Sequence, residues 1–392
     1  MTTPTAHATF ARLSRSETLL ALPRTGAVAA ATTPLTGTAR ATLEAVLLSA
    51  LMTPPCHVLF SGGRDSSALL ALAVHVARRE GLPLPVPVTV RHPLAPESDE
   101  TRWQDLVLAH LAVRDHLVLE FRGEQRLLGD AATAALRRHG PLWPESVQLH
   151  GAVYRHLEPG SVVSGEGGDM VVDGHRMAAV RAALAMTRPR RRHLRHGLRA
   201  ARPAVLLRRE VVARAGEIVP PWLRPPAAQA YLREVAASVG EPLRWDVATR
   251  AVMRTRPMAV FAANFDAAVV EYGSRPVTPF TNRRVVDAIA AEAGPLGWGD
   301  RTAIFRRLVG DLLPDEVLRR TSKASFNSTR WGPEERAFAR DWDGEGLDPD
   351  WIDADELRAA WLAPDPHAAA DFLLHVAWAH AHGIPTDAED HR

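Results

Sequence analysis

The chain has 392 residues, 46% apolar and 23% charged, with 47 basic against 45 acidic side chains. These proportions suit one large or two ordinary globular domains and exclude a disordered, collagen-like or coiled-coil chain. The net charge of +2 by itself calls for no polyanionic partner. A single cysteine, Cys56, rules out an internal disulfide framework, a four-cysteine zinc site and two-cysteine thiolation chemistry. With no long apolar run and no signal-like segment, the expected setting is the cytoplasm, with no membrane partner.

In chain order, residues 1–37 are rich in Thr, Ala and Pro without a sustained period and read as a loose N-terminal arm. Leu43, Val46, Leu47, Ala50 and Leu51 recur at helical spacing across 40–52. His57-Val58-Leu59-Phe60 predicts a buried strand, and a Ser/Gly/Asp turn leads from it into a helix over 67–79. Strands follow over 86–90, 117–121 and 161–164, separated by helices over 101–111 and 125–138. Strands alternating with helices at this spacing predict a parallel α/β sheet with flanking helices. Beyond residue 175 no strong strand pattern occurs, so the second half is expected to be mostly helical. The expected division is an α/β core over 38–185, a basic linker over 186–226 and a helical part over 227–392. Ten arginines and one acidic residue, Glu210, fall between Arg188 and Arg214. Such a run suits a nucleic acid, an acidic peptide or a phosphate-rich ligand; its lack of aromatic residues weakens single-strand binding, and a solvated helix face or linker is the favoured reading.

Two turns carry the chemistry. Ser61-Gly62-Gly63-Arg64-Asp65-Ser66-Ser67 joins a predicted strand to a predicted helix. Gly62 and Gly63 let the backbone bend tightly and approach a ligand, and the helix start offers unpaired N–H groups to an anion. Ser61, Ser66 and Ser67 add hydroxyl donors. Asp65 would repel a bare phosphate, so it points to a bridging Mg2+. Ser164-Gly165-Glu166-Gly167-Gly168-Asp169 follows a second strand in the same manner.

Lys323 is the only lysine, all 46 other basic side chains being arginine. A compact ammonium differs from a planar guanidinium fork, so a lysine kept in such a chain marks a functional candidate.

The first turn resembles the SGGxDS loop of the PP-loop ATP pyrophosphatases, whose fold is adenine nucleotide hydrolase-like. The second resembles the SGEGADE segment of asparagine synthetase and its relatives, the β-lactam synthetases and lasso-peptide macrolactam synthetases. Arg320-Thr321-Ser322-Lys323-Ala324-Ser325-Phe326 is similar to the RxxKxxF form of the macrolactam synthetases, and Asp341 to Asp348 to their C-terminal region. Arg275-Pro276-Val277-Thr278-Pro279-Phe280 resembles the RxPFLD segment. Met170, and Thr281-Asn282 in place of Leu-Asp, depart from the pattern.

The resemblance implies an AMP-forming carbon–nitrogen ligase that uses ATP and Mg2+. It places Gly165, Gly167 and Gly168 with the first loop at the nucleotide, and Asp65 and Asp169 at the metal. Lys323 contacts the phosphate and the transition state, and Glu166 lies beside the acyl-adenylate and the incoming amine. With Thr2 and about 55 residues ahead of the loop, no glutamine-hydrolysing cysteine is expected. The favoured substrate is a small molecule or a peptide of the macrolactam type, with a leader-peptide-binding protein or a protease as partner. An ammonia-dependent asparagine synthetase, a tRNA-modifying PP-loop enzyme and an inactive binding relative remain as alternatives. His193 and His196 read as part of a basic face, Cys56 as a core residue, and Trp342, Trp351, Trp361 and Trp378 as packing for C-terminal helices.

Overall fold

The computed structural model describes residues 8–27, 37–172, 175–184, 191–322 and 324–386. Five parallel strands form one sheet in the order β3-β2-β1-β4-β5. They are β1 (Cys56–Leu59), β2 (Val86–Arg91), β3 (Leu117–Glu120), β4 (Ser161–Val163) and β5 (Arg275–Val277). Short aliphatic runs with buried residues on both faces suit a parallel sheet covered on each side. Val58 and Val163 join a core on one face, with helices Ala39–Leu51, Arg64–Glu80, Arg283–Ala293 and Arg301–Val309. Val88, Leu119 and Val162 join a core on the other, with Val147, Ala152, Phe265 and Val269.

The α/β expectation and the helical second half both hold, with two corrections. First, the sheet has a fifth strand. β5 is only three residues long and contains Pro276, so it carries no strand periodicity, and it sits at the sheet edge where proline is tolerated. Second, the helix expected over 125–138 begins at Asp130, behind an N-capping Gly129. Residues 125–129 instead form a turn held by distant groups. The Leu127 N–H donates to the Arg330 carbonyl at 3.0 Å, and the Leu128 N–H to Glu335 Oε1 at 2.7 Å.

A further core lies beneath the C-terminal helices, where Trp342, Trp361 and Trp378 are buried among Leu347, Leu357 and Leu373 while Trp351 packs at the rim. Cys56 is a buried core residue, and burial pushes its thiol pKa up. Between Arg188 and Arg214, the described residues form helices Arg191–Ala200 and Ala204–Ala213. Among the described residues, no helix is long and apolar enough to cross a membrane.

Within 8–27, a short helix, Arg15–Leu20, is tied to the body by Glu17. Its carboxylate is almost fully buried and accepts from Arg256 at 2.6 and 2.8 Å, from the Arg24 N–H at 2.8 Å and from the Ser14 N–H at 2.9 Å. Burial alone would raise its pKa; the hydrogen bonds from Arg256, Arg24 and Ser14 outweigh that and hold it at about 2. A carboxylate depressed in the folded state stabilises the fold above its unfolded value near 4.5, and that stability is lost as pH falls toward 2. Glu17→Gln should therefore destabilise the protein at pH 7 by roughly 1–3 kcal/mol. Urea unfolding across pH should show the gap between wild type and variant closing between about pH 4.5 and 2.

Candidate active site

β1 and β4 are neighbours in register, with Cys56 beside Ser161, His57 beside Val162 and Val58 beside Val163. Their carboxyl ends therefore finish level, and the two glycine turns leave the sheet side by side. β1 next leads to β2 on one side, while β4 and β5 lie on the other. Such a divergence opens the crevice in which open α/β sheets bind ligands.

The loop after β1 is held in shape by its own hydroxyls. Ser61 Oγ and Ser66 Oγ lie 3.2 Å apart, and Ser66 Oγ donates to the Gly63 carbonyl at 3.1 Å. Gly62 has φ +84°, and a Cβ there would sit 3.1 Å from Gln104 Cγ. Gly63 caps the 17-residue helix that follows, so the first N–H groups of that helix face the crevice mouth.

The second turn closes on the first. Gly167 has φ +81°, and a Cβ there would meet Thr281 Cγ2 at 2.7 Å. A Cβ on Gly168 would meet Asp65 Oδ1 at 2.8 Å, so only glycine lets Asp65 stand where it does. The Arg301 guanidinium donates to Asp65 Oδ2 with one nitrogen and to Asp169 Oδ1 with the other. Two carboxylates about a hundred residues apart in the chain thus share one cation.

The 320–326 segment borders the same place. Arg320 is buried, at 7% exposure, and its guanidinium ion-pairs with Glu100. It also donates to the Gly62 carbonyl at 2.9 Å and to Ser322 Oγ at 3.1 Å, and lies over the Trp103 ring at 4.7 Å. Arg320 thereby fastens the lysine-bearing segment to the first loop. A cavity of about 320 Å³ between them is lined by Asp65, Asp169, Arg301, Arg320, Ser322 and Phe326, among others. Lys323 itself lies outside the described residues.

A larger cavity of about 590 Å³ runs across the strand ends. Its lining includes Val88, Val90 and His92 together with Ser61, Gly63, Asp65, Ser66, Gly165, Glu166, Gly167, Gly168 and Asp169. His150, Phe261, Gln125 and Arg330 also line it. Arg330 is held by Glu145 at 2.8 Å and lies 3.5 Å from Asp371 Oδ2. Burial, with the charge of Glu145 behind it, pushes the Asp371 carboxyl up to about 7. Burial, reinforced by the charges of Glu166 and Asp266, also pushes the Tyr154 phenol up, so it stays protonated beside Glu166.

The structure thus brings together Ser61, Gly63, Asp65, Ser66, Gly165, Glu166, Gly167, Gly168 and Asp169. Gly62 and Ser67 are buried behind the loop and line neither cavity. Among the described residues the Ser67 hydroxyl has no hydrogen-bond partner. Of the departures from the pattern, Asn282 caps the Arg283–Ala293 helix by accepting from the Arg284 N–H at 3.0 Å, a role asparagine fills as well as aspartate. Met170 is 44% exposed at the cavity rim. Sequence reasoning missed Arg301 and the anchoring role of Arg320, because one arginine among 46 carries no signal of its own.

The donor set fits a nucleotide and Mg2+. Mg2+ is bound by one or two carboxylates together with substrate phosphates rather than by an all-protein cage, and Asp65 and Asp169 supply that pair. The helix N-terminus and the glycine cradle fit the phosphates.

The buried Arg320–Glu100 pair gives a direct check on how the loops are fastened. Arg320→Ala should cost roughly 3–5 kcal/mol, because it leaves a buried carboxylate uncompensated. Combining Arg320→Met with Glu100→Gln should cost much less than the sum of the single changes, as read by urea unfolding.

A family model described as asparagine synthase matches residues 38–378, spanning both glycine turns and the 320–326 segment. No curated protein matches the chain. Enzymes of this family use ATP, generally with Mg2+, to form carbon–nitrogen bonds. The chain belongs to the asparagine synthase family and is an ATP-dependent amide ligase of the asparagine synthetase type.

Proposed function

We propose that the protein adenylates a carboxylate and passes the acyl group to an amine, both carried by one peptide or natural-product substrate of the macrolactam type. The observation that supports this reading is the meeting of Asp65 and Asp169 on one guanidinium, at the mouth shared with the 320–326 segment. The cavity that holds Glu166 is also lined by Gln125, His150, Phe261 and Arg330, groups outside both glycine turns that suit contacts to an acyl donor larger than a free amino acid.

In the first step a carboxylate oxygen bonds to the α-phosphorus of ATP. The bond from that phosphorus to the bridging oxygen breaks, and its electron pair leaves with pyrophosphate. The N–H groups at the start of the Arg64–Glu80 helix, with Ser61 and Ser66, hold the phosphate oxygens. Mg2+ supplies charge neutralisation on the phosphates, and Asp65 and Asp169 are the residues that would hold it. Lys323 places a fixed positive charge at the α-phosphate or at the oxyanion of the second step. In that second step the amine nitrogen bonds to the acyl carbon, and the carbon–oxygen bond to AMP breaks, leaving the electron pair on AMP. A protonated amine is not nucleophilic, so a base must take its proton. Glu166, which faces the cavity, is that base.

Incubation with ATP, Mg2+ and a library of linear peptides bearing a free N-terminal amine and an internal Asp or Glu tests the reading. AMP and pyrophosphate should form in equal amounts, and a subset of peptides should lose the mass of one water. Asparagine formed from free aspartate and ammonia, without peptide turnover, would transfer the protein to the ammonia-dependent alternative. No AMP with either substrate would overturn the enzymatic reading.

With a reacting peptide, Lys323→Arg should lower turnover roughly 10²-fold or more, since a planar fork cannot replace a compact charge at the phosphate. Turnover near wild type would remove Lys323 from the mechanism.

A further inference from the structure

None of the described residues of the arginine-rich stretch lines the two cavities above, and several apolar side chains are exposed among its arginines. Six of the thirteen large apolar side chains exposed among the described residues lie between 184 and 212: Leu184, Leu194, Leu198, Val205, Leu206 and Val212. Leu184 and Leu198 are 79% and 70% exposed. Of these, Leu198 lines a groove among the arginines. Helices Arg176–Leu184 and Arg191–Ala200 pack closely through Gly197, where a Cβ would fall 2.6 Å from Ala183 Cβ. That contact occupies one face of the second helix and leaves its leucines and arginines turned outward.

Those outward groups line a groove of about 460 Å³ formed by Arg192, Arg195, His196, Leu198, Arg199, Arg202 and Glu210. Glu210 ion-pairs with Arg199 at 2.7 Å and lies 3.6 Å from Arg202. Among the described residues, neither Arg192 nor Arg195 pairs with a carboxylate. The groove therefore holds an excess of positive charge beside aliphatic surface. The pair of helices is anchored to the body through its first member. Arg176 follows Asp169 by seven residues and donates to Glu241, and Arg181 donates to the Leu296 carbonyl at 3.0 Å.

We propose that this groove docks an acidic, aliphatic peptide segment, through ion pairs to Arg192 and Arg195 and apolar contacts with Leu198. Charge complementarity selects an acidic occupant. The concave shape, with Leu198 and the arginines facing the same hollow, suits a chain with alternating side chains better than a flat lipid surface. The absence of Phe, Tyr and Trp from 191–218 deprives a nucleic acid of stacking partners. The inference deepens the peptide reading of the site and rests on it for its purpose: the segment held here would belong to the same peptide whose other part reacts in the crevice.

The test is selection of a random twelve-residue displayed peptide library against the immobilised full chain, without ATP. Enriched sequences should carry an excess of Asp and Glu interleaved with Leu, Ile or Val. A labelled enriched peptide should bind at least tenfold more weakly to the Arg192→Glu/Arg195→Glu variant, and near normally to Arg192→Lys/Arg195→Lys. Thermal melting of both variants shows that the fold is kept. Enrichment of neutral or basic sequences, or equal binding to the charge-reversed variant, would overturn the proposal. So would a preference for phosphatidylglycerol vesicles or polyuridylate over every selected peptide. Because this readout needs no turnover, acidic-peptide binding without AMP formation would leave the groove standing while removing the ligase reading, and AMP formation without such binding would do the reverse.

Discussion

The parallel pairing of β1 with β4 is the constraint on which the site depends. Because the two strands run in register and end level, the turns that follow them must share one crevice. A slip of one residue would carry every buried side chain of β4 to the opposite face. Val58 and Val163 pack on one side and Val162 on the other, so the hydrophobic pattern fixes the register, and the register fixes the distance between two carboxylates. Placement of the two carboxylates is thus a by-product of core packing.

Two acidic side chains brought so close require a cation, and the protein supplies one in Arg301. The glycines of the second turn serve the same convergence. Gly168 is small because Asp65 stands against it, and Gly167 is bent backward with Thr281 at its α-carbon. Arg320 solves the analogous problem for the third segment, reaching from a region more than two hundred residues away to a carbonyl of the first loop and neutralising a buried Glu100 on the way. Few polar contacts, each buried or shared, therefore join three stretches of sequence into one site.

Much of this was legible before any coordinates. The first three strands and the helices over 39–51 and 101–111 show clear periodicity because they are half-buried or fully buried with regular spacing. The two glycine turns were legible because Gly, Ser and Asp between a strand and a helix have few other uses. What escaped notice had a physical cause in each case. β5 is an edge strand too short to show a period and carries a proline. The 125–129 turn is set by Glu335 and Arg330, which no local pattern can reveal. Arg301 was hidden by composition, since its residue type is the commonplace cation of this chain. Composition also made Lys323 conspicuous, so the same bias that concealed one cation exposed another.

The most direct measurement of whether the two turns serve one nucleotide is a crystal structure with Mg2+ and a non-hydrolysable ATP analogue. The account predicts a single metal between Asp65 and Asp169, with at least one of the carboxylates at about 2.0–2.1 Å and the other direct or bridged by one water. Arg301 should have left at least one of Asp65 and Asp169, and the phosphates should lie against the start of the Arg64–Glu80 helix. Density for the nucleotide elsewhere, or a metal held without either aspartate while Arg301 still joins them, would contradict it.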